Sequence, residues 1–308
     1  MHIDLIGDIH GHADELELLL QQLGYRLTNN VYTHASRKTI FVGDYIDRGP
    51  KIPETLAIVK AMVDAGQAVA LLGNHEYNAV CFNTTAPNGS FLRSHSIKNI
   101  LQHTETLVQF QNNETAYFAY INWFKTLPLY YECDAFRAVH AAWDFDSIAV
   151  LKKHLNNACF TDSQWYESTC KNSALHLAVE KVLKGTELRL PDNLSFLDKD
   201  GNARHEIRTK WWLNPKSVTY KQISVLAIEG LPDTDIGDLN ENYYHENQKP
   251  VFFGHYWLRG QPQLVRNNIC CLDYSVAKKG YLVAYSFQGE NTLTPQHFTY
   301  ISCLTSEN

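Results

Sequence analysis

The chain has 308 residues, 44% of them apolar and 19% charged, enough for a sizeable buried core and unlike a disordered segment or a small disulfide-stapled module. Its 27 basic residues against 33 acidic ones leave a net charge of -6, which argues against a broad electrostatic grip on nucleic acid or anionic membrane and leaves small or locally docked phosphate compounds allowed. Seven scattered cysteines without a CxxC pair signal neither a disulfide framework nor a zinc knuckle, so reduced, buried thiols are expected.

In chain order, the first predicted element is a strand, His2-Ile3-Asp4-Leu5-Ile6, and no basic leader with an apolar signal region is expected before it. No stretch is apolar for long enough to span a bilayer, and a cytoplasmic protein is expected. A helix follows Gly11, with Leu16, Leu19, Leu20 and Leu23 on one stripe and Gly24 as its stop. The strand Thr39-Ile40-Phe41-Val42 leads to a second helix, with Pro50 and Pro53 at its first turn, Leu56, Val59 and Val63 on its apolar face and Gly66 at its end. A third strand covers Ala68 to Leu72. Two successive strand-helix-strand units predict parallel pairing, with the carboxyl ends of the strands on one edge.

Residues 83 to 126 read as helices and loops, with Ile97, Ile100, Leu101, Leu107 and Val108 as packing positions. A mixed helical and loop region from about 144 to 248 is expected as an insertion that shapes the substrate pocket within a single domain, 1–308. It carries a helix at Ala174 to Lys184, with Leu175, Val179, Val182 and Leu183 aligned, and a turn at Pro232-Asp233-Thr234-Asp235. Strands return at Pro250 to Gly254, Asn268 to Leu272, Tyr281 to Phe287 and Phe298 to Cys303.

Three motifs sit at the ends of the first three strands: Gly7-Asp8-Ile9-His10-Gly11, Gly43-Asp44-Tyr45-Ile46-Asp47-Arg48-Gly49 and Gly73-Asn74-His75-Glu76. Two later histidines, His140 after Ala135 to Val139 and His255 after Val251 to Gly254, leave apolar runs in the same way. Any one of these groups has an ordinary explanation as an Asx turn, a helix cap or a satisfied core histidine. Five strand ends that all present metal-competent side chains are hard to reach by capping alone, and point to two neighbouring cations. The mixed oxygen and nitrogen donors of Asp8, His10, Asp44, Asn74, His140 and His255 suit Mn, Fe or Zn, with Mn the first expectation.

The motifs resemble the GDxHG, GDxxDRG and GNHE signatures of calcineurin-like metallophosphoesterases, in the phosphoprotein phosphatase and diadenosine tetraphosphatase branch. The likeness is strong over the first 80 residues and moderate over 136 to 145 and 250 to 287. It departs from the family pattern at His140-Ala141-Ala142-Trp143, where two glycines often follow, and at Gly254-His255-Tyr256-Trp257. The resemblance implies an α/β fold, a four-layer α-β-β-α sandwich of two mixed sheets with the metal site at the carboxyl edge of the strands. It implies that Asp8, His10 and Asp44 hold one ion and Asp44, Asn74, His140 and His255 the other, with Asp44 bridging. His75 would then be the general acid, Asp47 its orienter and Arg48 a fork for phosphate oxygens, although Asp47 with Arg48 could also be a local ion pair and His75 a helix cap.

Arg208 is the best candidate for a second phosphate-binding arginine, beside the alternative of a solvated surface charge. Trp143, Trp211, Trp212, Tyr256 and Trp257 could stack on a nucleobase or a phosphotyrosine ring or serve as core anchors, and Tyr256 is taken as a substrate contact. The resemblance implies a dinuclear-metal phosphoesterase acting on phosphate monoesters by direct attack of metal-bound hydroxide, of the bacterial serine/threonine and possible tyrosine protein phosphatase type. Its substrates would be a phosphorylated protein or peptide, a small phosphate ester or a nucleotide. Two alternatives stand beside it: a dinucleoside polyphosphate hydrolase using the same ions, and a non-catalytic scaffold on the same fold.

Overall fold

In a computed structural model, the structure describes residues 2–191, 194–197, 203–214, 216, 218–237 and 243–304. Strand β1 (Ile3–Ile6) is followed by α1 (Ala13–Gln22), the hairpin β2 (Arg26–Thr28) and β3 (Val31–Thr33), β4 (Lys38–Phe41), α2 (Ile52–Asp64), β5 (Ala68–Ala70) and α3 (Asn74–Asn83). Helices α4 (Ile97–Phe110) and α5 (Glu114–Phe124) precede β6 (Tyr130–Glu132) and β7 (Arg137–Val139), after which come α6 (Phe145–His154), α7 (Asp162–Glu167) and α8 (Ala174–Lys184). Short strands β8 (Glu187–Arg189), β9 (Phe196–Leu197), β10 (Ala203–Arg204) and β11 (Glu206–Arg208) and the single turn α9 (Tyr220–Ile223) lead to β12 (Val251–Phe253), β13 (Ile269–Cys271), β14 (Asp273–Tyr274), β15 (Tyr281–Phe287) and β16 (Phe298–Ser302).

One sheet runs β14-β15-β1-β4-β5, with β16 also on β15; β1, β4 and β5 are parallel and β15 is antiparallel to β1. The other runs β13-β12-β7-β6, with β12 parallel to both β13 and β7 and only β6 reversed. Alternate residues of each strand enter different cores, as the two-residue period of a strand requires. Leu5, Ile40, Ala138, Phe252, Cys270, Val283 and Tyr285 fill the space between the sheets, while Ile6, Phe41, Val139, Phe253, Cys271 and Ala284 face the helical layers with Leu16, Leu56, Val179 and Leu183. The α/β sandwich with two mixed sheets is thus the architecture, and the parallel strands put every motif at one edge.

The stripes expected on α1 and α8 are buried as read, and in α2 Met62 is buried while Val63 is only partly covered. Helix α4 corrects the reading of its packing face. Ile97 is 79% exposed, Leu101 69% and Val108 50%, and Ile100 also faces solvent, whereas His103, Thr106 and Phe110 are buried. Only Leu107 of the expected set packs, in part, against the core. The helix turns polar groups inward because a buried carboxylate, Asp47, supplies partners for them.

The part between 187 and 236 carries its own small core of Leu190, Ile207, Ile223 and Ile236. All seven cysteines are unpaired, three of them buried and four half-buried. Among the described residues, no helix is long and apolar enough to cross a membrane.

Candidate metal centre

The polypeptide leaves each strand end through tight turns that bring side chains of both sheets together. His10, Asp44, Asp47, Arg48, His255 and Trp257 all have positive φ, between 48° and 73°, a conformation uncommon for residues with a Cβ and concentrated at functional sites. Gly43 cannot be replaced without collision, since a Cβ there would lie 2.6 Å from Gly73 Cα and 2.8 Å from His140 Nδ1, at a φ of 112°. A Cβ on Gly254 would meet Asp8 Oδ1 at 1.9 Å, so the loop carrying His255 can approach Asp8 only as glycine.

Hydrogen bonds settle which imidazole nitrogens face the centre. His10 Nδ1 donates to the Ile46 carbonyl at 2.9 Å, and His140 Nδ1 to the Val42 carbonyl at 2.9 Å, leaving Nε2 of each ring as a bare acceptor. His140 Nε2 lies 3.0 Å from Asn74 Oδ1 and 3.4 Å from Asp44 Oδ1, and His10 Nε2 lies 3.5 Å from Asp44 Oδ2. His255 Nδ1 is 2.7 Å from the same Asn74 oxygen. Buried lone pairs crowded this closely repel one another unless a cation lies among them, so the donor set fits metal ions. Two groups, His10-Asp44-His75 and Asp44-His140-His255, each have candidate ligand atoms within 4.8 Å of one another, and Asp44 belongs to both.

Electrostatics follow the same geometry. Burial by itself would raise the Asp44 carboxyl, but His140, His75, His10 and His255 hold it well below the usual range. Asp8, whose oxygens accept the His255 backbone N–H at 3.2 and 3.0 Å, is pushed up by burial and then by Asp273 and Asp44. Burial and Arg48 lower His10, and burial and Arg208 lower His255, which keeps both rings neutral and ligand-competent.

His75 stands beside this cluster. Its Nδ1 is 2.5 Å from Asp47 Oδ2, and its Nε2 is 3.9 Å from Asp44 Oδ2. Burial disfavours the imidazolium, but Asp44 and the bond to Asp47 outweigh it and raise the ring. Asp47 in turn meets His103 Nδ1 at 2.7 Å and accepts the Thr106 hydroxyl at 2.5 Å, and it stays depressed in spite of its burial because His103 and His75 bond to it. Arg48 Nη1 donates to His10 Nε2 at 2.6 Å, and Arg208 Nη1 to His255 Nε2 at 3.0 Å. The two guanidinium groups therefore sit at two different histidines of one centre.

Tyr256 is 3% exposed, its ring against Trp212, Phe253 and His255, and burial pushes its hydroxyl well above the usual range. Trp143 and Trp212 are buried anchors, Trp211 is half-buried and bonds the Ala141 carbonyl, and the Arg48 guanidinium carbon stands 3.9 Å from the Trp257 ring centre.

Sequence reasoning overlooked four contributors. Glu76 accepts backbone N–H groups of Asp44, Tyr45, Ile46 and Gly73 and so clamps the second and third motifs together. Its place in the third motif was the available signal. His103 and Thr106 had a weaker one, a polar pair three residues apart in a helix whose apolar residues avoid that face. Asp273, buried and bonded to the Trp257 N–H at 2.7 Å, had none.

The family model for calcineurin-like phosphoesterases matches residues 1–188. Over 76 residues, 24% of the chain, the protein is 45% identical to an asymmetrical bis(5'-nucleosyl)-tetraphosphatase of Oceanobacillus iheyensis, covering 30% of that relative. Over 147 residues, 46% of the chain, it is 29% identical to the symmetrical bis(5'-nucleosyl)-tetraphosphatase of Vibrio campbellii, covering 47% of it. The match thus spans less than half the length of these relatives. A protein serine/threonine phosphatase from Saccharomyces cerevisiae superposes over 100% of the chain and 81% of its own, with a TM-score of 0.53 at 13% identity, a likeness of fold. Members of the matched family use a dinuclear metal site, and this chain gathers the histidine and aspartate groups for one. The chain belongs to the calcineurin-like phosphoesterases.

Proposed function

We propose that the protein hydrolyses a phosphoanhydride bond of a dinucleoside polyphosphate, with Asp8, His10, Asp44, Asn74, His140 and His255 as ligands of two ions. The observation that carries the reading is the pair of arginines, Arg48 and Arg208, at two histidines of a dinuclear-type cluster, in a chain similar to two enzymes named for tetraphosphate cleavage. Two ions bound there supply Lewis acidity to the attacking water and to the phosphoryl oxygens. Arg48 and Arg208 pair with the remaining phosphoryl oxygens. Water adds to phosphorus as the bridging P–O bond breaks, its surplus proton goes to solvent, and His75 gives its own proton to the departing oxygen while Asp47 holds the ring, to be reprotonated from solvent for the next cycle. We assign substrate choice to the middle region, which borders an open pocket of about 230 Å³ whose lining includes Trp143, Lys181, Glu187 and Trp211.

Hydrolysis of phosphate monoesters, including phosphoproteins, is the second reading, supported by the fold shared with the yeast phosphatase. We place the protein in the cytoplasm, a reading its seven free thiols support. Product analysis separates the substrate readings: nucleoside diphosphates, or a nucleotide pair of unequal phosphate number, from a dinucleoside tetraphosphate are expected. Orthophosphate release from phosphopeptides with the dinucleotide untouched would overturn the first reading. Asp44→Asn is expected to lose more metal and more activity than Asp8→Asn or His10→Ala, because its carboxylate faces both ligand groups.

A further inference from the structure

Trp257 is held between two cations. The Arg48 guanidinium carbon lies 3.9 Å from its ring centre and the Lys278 ammonium 3.7 Å. Two cations that close to one ring cannot share a face without colliding, so the indole separates them, Arg48 on the side of His10 and Lys278 on the far side.

The arrangement is built rather than incidental. Asp273, buried at 3% exposure, accepts the Trp257 N–H through one oxygen at 2.7 Å and the Ser275 N–H through the other at 2.9 Å. Ser275 opens the short 3-10 turn Val276–Lys278, and its hydroxyl donates to the Leu258 carbonyl at 3.1 Å. Leu258 N–H returns to the Asp273 carbonyl at 3.0 Å. One carboxylate thus ties the loop that presents Trp257 to the turn that presents Lys278, and Trp257 keeps a φ of 54° in that grip.

We infer that Lys278 is a specificity-determining residue that binds a phosphate group beyond the one at the metal centre, and so selects substrates with linked phosphates over simple monoesters. The inference rests on the proposed dinucleoside polyphosphate reading. Arg48 meets the phosphoryl group under attack. Further along a polyphosphate each unit carries additional negative charge, and Lys278 stands one indole thickness beyond Arg48 to meet it. A monoester with an uncharged alcohol or phenol as its other half offers that ammonium nothing. Trp257 acts as a positioning residue that keeps the two cations apart, one over each face of its ring.

The test compares the metal-loaded wild type with Lys278→Gln and Lys278→Arg, exposed substitutions that leave the fold intact. For a symmetrical dinucleoside tetraphosphate, Lys278→Gln is expected to raise KM about tenfold with kcat within twofold, and Lys278→Arg to restore it. For p-nitrophenyl phosphate the KM change stays under twofold. Calorimetric binding of a methylene-bridged, non-hydrolysable dinucleotide weakens by the same factor as KM. Equal changes on both substrates, or no change on either, overturn the role of Lys278 while wild-type dinucleotide cleavage stands. A wild type that turns over the aryl phosphate but not the dinucleotide overturns the substrate reading and this inference with it.

Discussion

At the scale of single residues, Asp47 joins the second motif to a helix that sequence patterning had turned the wrong way. Its carboxylate takes His75 on one oxygen and His103 and Thr106 on the other, while its own N–H donates to the Thr106 hydroxyl at 3.1 Å. As the proposed acid, His75 would help most when the departing oxygen is basic. His75→Asn is therefore expected to slow an alkyl phosphate by about 10²–10⁴-fold and a p-nitrophenyl or anhydride substrate far less. Equal losses across leaving groups, read from kcat, would remove His75 from the proton path. Thr106→Val keeps the shape and deletes both bonds to Asp47. We expect kcat to fall about tenfold at unchanged metal content, as for other residues that orient catalytic groups. A purely structural role would lower the melting temperature and leave kcat per loaded site intact.

At the scale of elements, β6 and β7 show how a partly exposed charge network supports the second sheet. Glu132 accepts from Arg137 Nε at 2.8 Å and Lys152 Nζ at 2.6 Å, with Lys249 Nζ at 3.4 Å. Burial would raise its carboxyl, yet the bonds from Lys152 and Arg137 lower it to about 2. A carboxyl depressed in the folded state stabilises above its unfolded value, near pH 4.3, and that contribution disappears as pH falls towards about 2. The gap in urea midpoint between wild type and Glu132→Gln is accordingly expected to be full at pH 7 and to close on acidification through that window. A gap independent of pH would mean that the glutamine disturbs packing rather than charge. Helix α4 is the other element whose logic is local chemistry, its apolar outer face left to solvent so that His103 and Thr106 can reach Asp47.

At the scale of the whole molecule, the centre joins both sheets, since His140 and His255 come from one and Asp8, Asp44 and Asn74 from the other. Ions that bind only the folded arrangement should stabilise it by about 2.7 kcal/mol at a hundred times their dissociation constant. Chelation is expected to lower the melting temperature of the wild type, with recovery on adding Mn, and to leave Asp44→Asn little changed. An identical response in both proteins would show that the ions act elsewhere.

The family was legible in the sequence because each motif is short, rides at the end of an apolar run, and needs only its neighbours to be recognised. Parallel pairing from successive strand-helix-strand units then placed the motifs on one edge, and the stripes of α1 and α8 followed from helical spacing alone. Tertiary structure decided what joins distant segments: Arg208 at His255 from 47 residues away, His103 and Thr106 under Asp47, and the Asp273 knot that sets Trp257 between Arg48 and Lys278. A local pattern records the period of a helix or strand and the residues of a turn. It carries no record of a buried carboxylate elsewhere in the chain that makes a polar face the inner one.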